Sequence, residues 1–212
     1  MNFKPITVEP NKIYDYSFAI IEEEMGEHHF SELEWQVVRR IIHASADFEL
    51  GRSVVFSPGA VEAGIKAIRE GKHVIADVQM IVSGSGRKRF QKYGGDLHCY
   101  IGDEDVAQEA KKEGVTRAIM SMRKAIREHV GGIYAIGNAP TALLELIHLI
   151  NEGIAKPDLI IGMPVGFVSA AESKEELLKL KGIPYITNVG RKGGSTVTVA
   201  ALNAISILAD QV

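Results

Sequence analysis

Short β-rich runs alternating with helical patterns constrain this chain more than any other feature of its sequence. The runs are Val54–Phe56, His73–Val78, Leu97–Ile101, Ile133–Ile136, Leu159–Gly162 and Tyr185–Val189. Helical spacing starts between them at Ser57-Pro58, Asp103, Thr116, Asn138 and Ala171, and again after the last run at Gly194-Ser195. Pro58 and Pro140 sit where a first helical turn tolerates a missing N–H, and Gly71, Gly114, Gly153 and Gly182 fall where helices stop. Strand, helix, strand repeated this often implies a mostly parallel sheet covered by helices on both faces. Two helices come before the first run. One covers roughly residues 12–25 with Asn11 as its cap; the other opens on the capping box Ser31-Glu32-Leu33-Glu34 and reaches about Asp47. The expected fold is α/β, a single domain over residues 1–212, with its ligand beyond the carboxyl ends of the strands.

Composition narrows the partners. The 212 residues are 46% hydrophobic and 24% charged, enough for one large core, and the length alone does not call for two domains. A formal charge of −3 supplies no basic field to follow a phosphate backbone, so nucleic acid is not an expected partner. The single cysteine, Cys99, cannot form an intrachain disulfide, which fits a reducing compartment. Met1-Asn2-Phe3-Lys4-Pro5 has no apolar core behind its charge and does not read as a signal peptide. The uncharged stretch from Gly193 to Ala209 carries Asn203 and Ser206 and reads as a buried helix rather than a membrane span. The cytoplasm is the expected location.

Chemistry concentrates in three places. Arg40, His43 and Asp47, at i, i+3 and i+7, share one face of the second helix, among the apolar Val37, Val38, Ile41 and Ile42. An imidazole there can exchange a proton at neutral pH, with a cation one turn back and a carboxylate one turn on; the alternative is a histidine hydrogen-bonded for structure. The run Asn188-Val189-Gly190-Arg191-Lys192-Gly193-Gly194-Ser195 places glycines and two cations, Arg191 and Lys192, before a helix start, which suits an anion. A solvated loop is the other reading. In Gly137-Asn138-Ala139-Pro140-Thr141 a strand end turns into a helix, where Asn138 either meets a ligand or only caps the helix. Gly84-Ser85-Gly86-Arg87-Lys88-Arg89 reads equally as a phosphate loop or as a solvated basic turn. His28 and His29 are sequence neighbours that would point apart, while His73, His98, His129 and His148 stand alone. No HxxxH, CxxC or carboxylate triad suggests a metal site, and GxSxG and GxGxxG are absent from the places hydrolysis or nucleotide binding would need them. No cofactor is expected.

The runs Ile42-His43-Ala44-Ser45, Asp77-Val78-Gln79-Met80, Gly114-Val115-Thr116-Arg117, Gly137–Leu143, Ile161–Val168, Ala171-Glu172-Ser173-Lys174 and Gly190–Ser195 follow one another in the order found in the precorrin-8X methylmutase family, which the chain resembles over nearly its whole length. The resemblance implies a flavodoxin-like three-layer fold, a homodimer and a tetrapyrrole site built from both subunits. It implies migration of a methyl group from C-11 to C-12 of the macrocycle, with His43 managing a proton. By the same resemblance, Ser17 and Arg40 hold substrate, and Thr116, Arg117 and Arg191 meet ring carboxylates. The segment Ile81–Gly86 departs from the family's pattern, so contacts from that loop do not carry over. A methyltransferase of the same pathway and a non-catalytic tetrapyrrole carrier are the rival readings.

Overall fold

The computed structural model describes residues 9–211. Its elements, in chain order, are α1 (Pro10–Met25), α2 (Glu32–Ser45), α3 (Phe48–Arg52), β1 (Val54–Phe56), α4 (Ala60–Arg69), β2 (Val74–Ala76), α5 (Gln79–Gly84), α6 (Arg87–Gln91), β3 (Leu97–His98), α7 (Glu104–Glu113), α8 (Arg117–Glu128), β4 (Ile133–Ile136), α9 (Pro140–Asn151), β5 (Leu159–Gly162), α10 (Ala170–Leu178), β6 (Tyr185–Asn188) and α11 (Ser195–Gln211). The strands form one sheet in the order β1-β6-β5-β4-β2-β3. All neighbours pair in parallel except β1, which runs antiparallel to β6 with Phe56 opposite Ile186. With β1 set aside, the parallel strands follow the flavodoxin-like order 2-1-3-4-5. That order reverses between β2 and β4, the crevice where ligands of such sheets ordinarily bind.

Side-chain alternation along the strands builds two cores. Val74, Ala76, Ile133, Ala135, Leu159, Ile161 and Ile186 face a core shared with α2, α4 and α11. Ile75, Tyr134, Ile136, Ile160 and Tyr185 face the opposite core, shared with α8, α9 and α10. Because both faces are covered, β4, β5 and β6 are buried at every residue, and β4 and β5 read as apolar runs without polar alternation. On α2 the buried stripe is Val37, Val38, Ile41 and Ile42, each contributing on the order of 1.5–3 kcal/mol by leaving water. The Ser31 capping box is formed, with the Ser31 hydroxyl accepting from the Glu34 N–H and the Glu34 carboxylate accepting from the Ser31 N–H.

Several expectations are corrected. α1 begins at Pro10, so Asn11 lies inside the helix rather than capping it. Strands two and three are short: β2 stops at Ala76, and after His98 the chain turns between Tyr100 and Asp103. The basic segment after β2 is neither strand nor open loop. It folds into α5 and α6 and docks on α11, where Asn203 accepts from the Gly86 N–H at 2.9 Å and donates to the Gly84 carbonyl at 3.1 Å. α2 ends at Ser45 because Ala46 takes the left-handed conformation, φ 52°. Asp47 therefore leaves the face it would share with Arg40 and His43 and caps α3 instead, accepting from the Leu50 N–H at 2.8 Å. No helix among the described residues is long and apolar enough to cross a membrane.

Candidate active site

His43 sits on the exposed side of α2, opposite the buried stripe. Its ring stacks on Tyr14 of α1, centroids 5.2 Å apart, and lies 5.4 Å from the Phe18 ring. Among the described residues no protein group hydrogen-bonds the imidazole, so aromatic packing alone orients it. Two depressions open on either side of it. One, of about 330 Å³, brings His43 together with Ser17, Ile20, Ala46 and Phe48. The other, of about 210 Å³, brings it together with Arg40, Thr196, Val199 and Asn203. Ser17 of α1 and Arg40 and His43 of α2 thus border one surface. The Ser17 hydroxyl donates to the Ile13 carbonyl at 2.8 Å, which leaves its oxygen free to accept. Arg40 extends over Phe18 at 5.5 Å; burial first, then Arg39 and Arg89, lowers its proton affinity, yet a guanidinium stays charged at any physiological pH.

The glycine turn after β6 adjoins this surface. Gly193 adopts φ 148°, and a Cβ there would lie 2.4 Å from the Met163 carbonyl oxygen, so only glycine fits. Lys192 reaches back to α3, its ammonium bonded to Asp47 at 2.7 Å and to Glu49 at 2.8 Å. It anchors the turn beside α2, and its charge is already partnered. Those bonds raise the Lys192 proton affinity and hold the Asp47 carboxyl below its usual range. Arg191 is exposed, with its guanidinium over the Phe167 ring at 5.8 Å. Of the two predicted cations, Arg191 is the one turned to solvent without a carboxylate.

The remaining predicted residues lie elsewhere on the strand-end edge. Asn138 is exposed but does not cap α9. Asp77, at the end of β2, instead fastens the turn that leads into α9, its carboxylate accepting from the N–H groups of Gly137 at 3.0 Å, Asn138 at 2.9 Å and Ala139 at 2.7 Å. Asp77 is 1% exposed, and burial pushes its carboxyl up while the three N–H groups pull it down. The crevice between β2 and β4, which would receive a phosphate in many sheets of this order, is sealed by the protein's own carboxylate. Thr116 caps α8 through the Ile119 N–H at 3.2 Å and meets Thr141 at 3.2 Å, and Arg117 is exposed beside it. Both belong to the helical layer opposite α2, and neither lines the depressions beside His43.

Two features escaped the sequence reading. Lys174 of α10, 1% exposed, lies beneath the glycine turn and donates to the Lys192 carbonyl at 2.6 Å. Its sequence neighbours, Ser173 and Glu175, give no local sign of that burial. The second is a correction: three histidines expected to stand alone are in contact. The ring centroids of His73, His98 and His129 lie 4.6–5.0 Å apart, and Tyr100 bonds His129 Nε2 at 2.8 Å. They gather at the amino ends of the strands, across the sheet from the His43 groove. Among the described residues no group of three or more His, Cys, Asp and Glu side chains is arranged to hold a metal ion.

The precorrin-8X methylmutase family model matches residues 12–208. A cobalt-precorrin-8 methylmutase of Priestia megaterium is 66% identical over 98% of this chain and 92% of its own length. A precorrin-8X methylmutase of Sinorhizobium is 39% identical over 92% of this chain and 93% of its own. The solved structure of a precorrin-8x methyl mutase from Thermus thermophilus superposes with a TM-score of 0.87 at 43% identity, covering 95% of this chain and 97% of that one. The chain belongs to the precorrin-8X methylmutase family and is a methyl-shifting isomerase of cobalamin biosynthesis.

Proposed function

We propose that the substrate is precorrin-8 and that the enzyme moves its methyl group from C-11 to C-12, giving the hydrogenobyrinate or cobyrinate skeleton. The observation that carries this reading is the state of His43. A histidine kept for structure normally has its ring nitrogens hydrogen-bonded. Among the described residues this one has none bonded to protein, is steadied by two aromatic rings, and borders both depressions. It is free to give a proton to the macrocycle and take one back. Protonating a ring nitrogen draws electron density from the conjugated system, so the migrating carbon meets a more electron-poor acceptor. Substrate and product are isomers, so the proton must be returned within the cycle. A positioned acid of this kind contributes about 10²–10⁴-fold.

Arg40 beside His43 and Arg191 on the adjoining turn are suited to the carboxylates of the ring periphery. Ser17 offers an acceptor on the other side of the imidazole. Thr116, Arg117 and Asn138 lie outside the groove, which agrees with a homodimer in which a second copy brings that layer to the substrate. The name of the 66% identical relative favours the cobalt-containing substrate; the cobalt then belongs to the ligand. We place the enzyme in the cytoplasm.

Purified enzyme should convert precorrin-8, with or without cobalt, to an isomer of unchanged mass and altered visible spectrum. The ratio of kcat/KM for the two forms identifies the natural one. Binding of either ring with no isomer formed would contradict the proposal.

A further inference from the structure

Two charges of opposite sign are buried at the carboxyl edge of the sheet, and they are treated differently. Asp77 has three backbone N–H donors. Lys174 has only neutral oxygens: the Lys192 carbonyl at 2.6 Å and Asn188 Oδ1 at 3.4 Å. The Lys192 carbonyl also accepts from Asn188 Nδ2 at 2.8 Å, so one oxygen of the glycine turn is pinned by two donors from below. Among the described residues no carboxylate neutralises the ammonium. On its own helix Glu172 and Glu175 are exposed, and Glu176 pairs with Lys179. On α9, which packs against α10, Glu145 is bonded to Arg123 and His148 is exposed. On the turn, Lys192 takes up Asp47 and Glu49, and Arg191 is a cation. An uncompensated buried charge is costly to keep, and a fold retains one where something else gains from it.

We infer that Lys174 is a positioning residue of the substrate site: its ammonium, buried beneath the Gly190–Gly194 turn, fixes the turn that presents Arg191 and supplies the positive charge that a substrate carboxylate completes. This rests on the proposed function above, because the anion is a carboxylate of that substrate. The bound carboxylate is the counterion that no described residue supplies. Burial alone pushes the Lys174 ammonium down to about 8. The sign follows: the charge is present at pH 7 and is lost as pH rises through about 8, while the corrin carboxylates and the arginines keep theirs.

The test measures the affinity of the free-acid product, hydrogenobyrinate, between pH 7 and pH 9. Wild-type affinity should fall at least fivefold across that range. Lys174→Met should bind at least tenfold more weakly at pH 7, with no pH dependence there, and should melt no lower than wild type. Its single-turnover rate at saturating substrate should stay within threefold. Lys174→Gln, which keeps a donor for the Lys192 carbonyl but no charge, should remain weak. Wild-type affinity that is flat from pH 7 to 9, a tight-binding methionine variant, or glutamine restoring full affinity would each overturn the inference. The wild-type titration stands even if both variants fail to fold. A wild-type enzyme that converts precorrin-8 while the variants bind normally overturns only this inference. One that neither binds nor converts the ring overturns the proposed function with it.

Discussion

His43 and the cluster of His73, His98 and His129 occupy two regions of this enzyme under opposite conditions. At the carboxyl edge His43 is exposed, makes no hydrogen bond to protein among the described residues, and rests on Tyr14 and Phe18. At the amino edge His73, His98 and His129 satisfy one another. The His73 Nδ1 accepts from the Asp96 N–H at 3.1 Å and lies 3.3 Å from His98 Nε2, and Tyr100 holds His129. Because Nδ1 of His73 accepts, its proton sits on Nε2, and the contact with His98 works only while that ring donates. The cluster is a hydrogen-bonded structural device that needs neutral imidazoles. His43, with its nitrogens unspent and both depressions beside it, is placed to act on a ligand. Partnership and the adjoining depressions, rather than the presence of an imidazole, separate the catalytic candidate from the clustered histidines.

The largest effect that could break this contrast is the loss of His43. His43→Ala should fold and melt as wild type yet lose about 10²–10⁴-fold in single-turnover rate, the range for one acid–base group. A folded variant with near-normal rate would place the proton chemistry elsewhere. Arg191→Ala should raise KM about tenfold and leave kcat nearly unchanged, because a carboxylate is held equally in ground and transition states. A drop in kcat at unchanged KM would move Arg191 to the reacting centre.

The amino-edge cluster should show the reverse pattern. His98→Ala should keep its rate within about twofold and lower the melting temperature by several degrees, on the order of 1 kcal/mol for a lost buried hydrogen bond. Its signature is also pH-dependent. Burial, and then neighbouring imidazoles, lower the proton affinity of His98 and His129, against weaker pulls from Asp96 and Glu128. The folded state therefore binds fewer protons than the unfolded one. Stability should be intact above about pH 6.5 and decline as pH falls through that value toward the lowered folded-state values. Melting curves from pH 8 to 5 should show this decline in wild type and a shallower one in His98→Ala; parallel curves would deny the cluster its role. The smallest expected change is none: chelator-treated, dialysed enzyme should keep its turnover without added metal, nucleotide or methyl donor.

The sequence exposed what is local and periodic. All six strands lie within their expected runs, the Ser31 capping box is formed, and Gly71, Gly114, Gly153 and Gly182 all take positive φ near helix ends. The misses are contacts between distant segments. Asn138 looked like a cap from its neighbours, but no side chain caps α9; the turn before it is held by Asp77, sixty-one residues before Asn138, delivered by the pairing of β2 with β4. His73 and His98 meet only because β3 pairs beside β2, with Leu97 opposite Val74. Asp47 kept the right spacing for the His43 face, and a single left-handed residue, Ala46, removed it. Of the candidate site, Arg40 and His43 were readable from helix spacing, Arg191 from the glycine run and Ser17 from the family resemblance, while the buried support from Lys174 and Asp77 depends on packing that no local pattern encodes.

The central claim is that a methyl group moves within one molecule at the His43 groove. Precorrin-8 carrying ¹³C in its C-11 methyl group, mixed with unlabelled substrate bearing a different mass tag elsewhere, tests it in one reaction followed by NMR and mass spectrometry. The account predicts that every labelled product molecule keeps its own methyl, now attached to C-12, with no exchange between the two pools. Label appearing on the mass-tagged molecules, or lost to solvent, would contradict it.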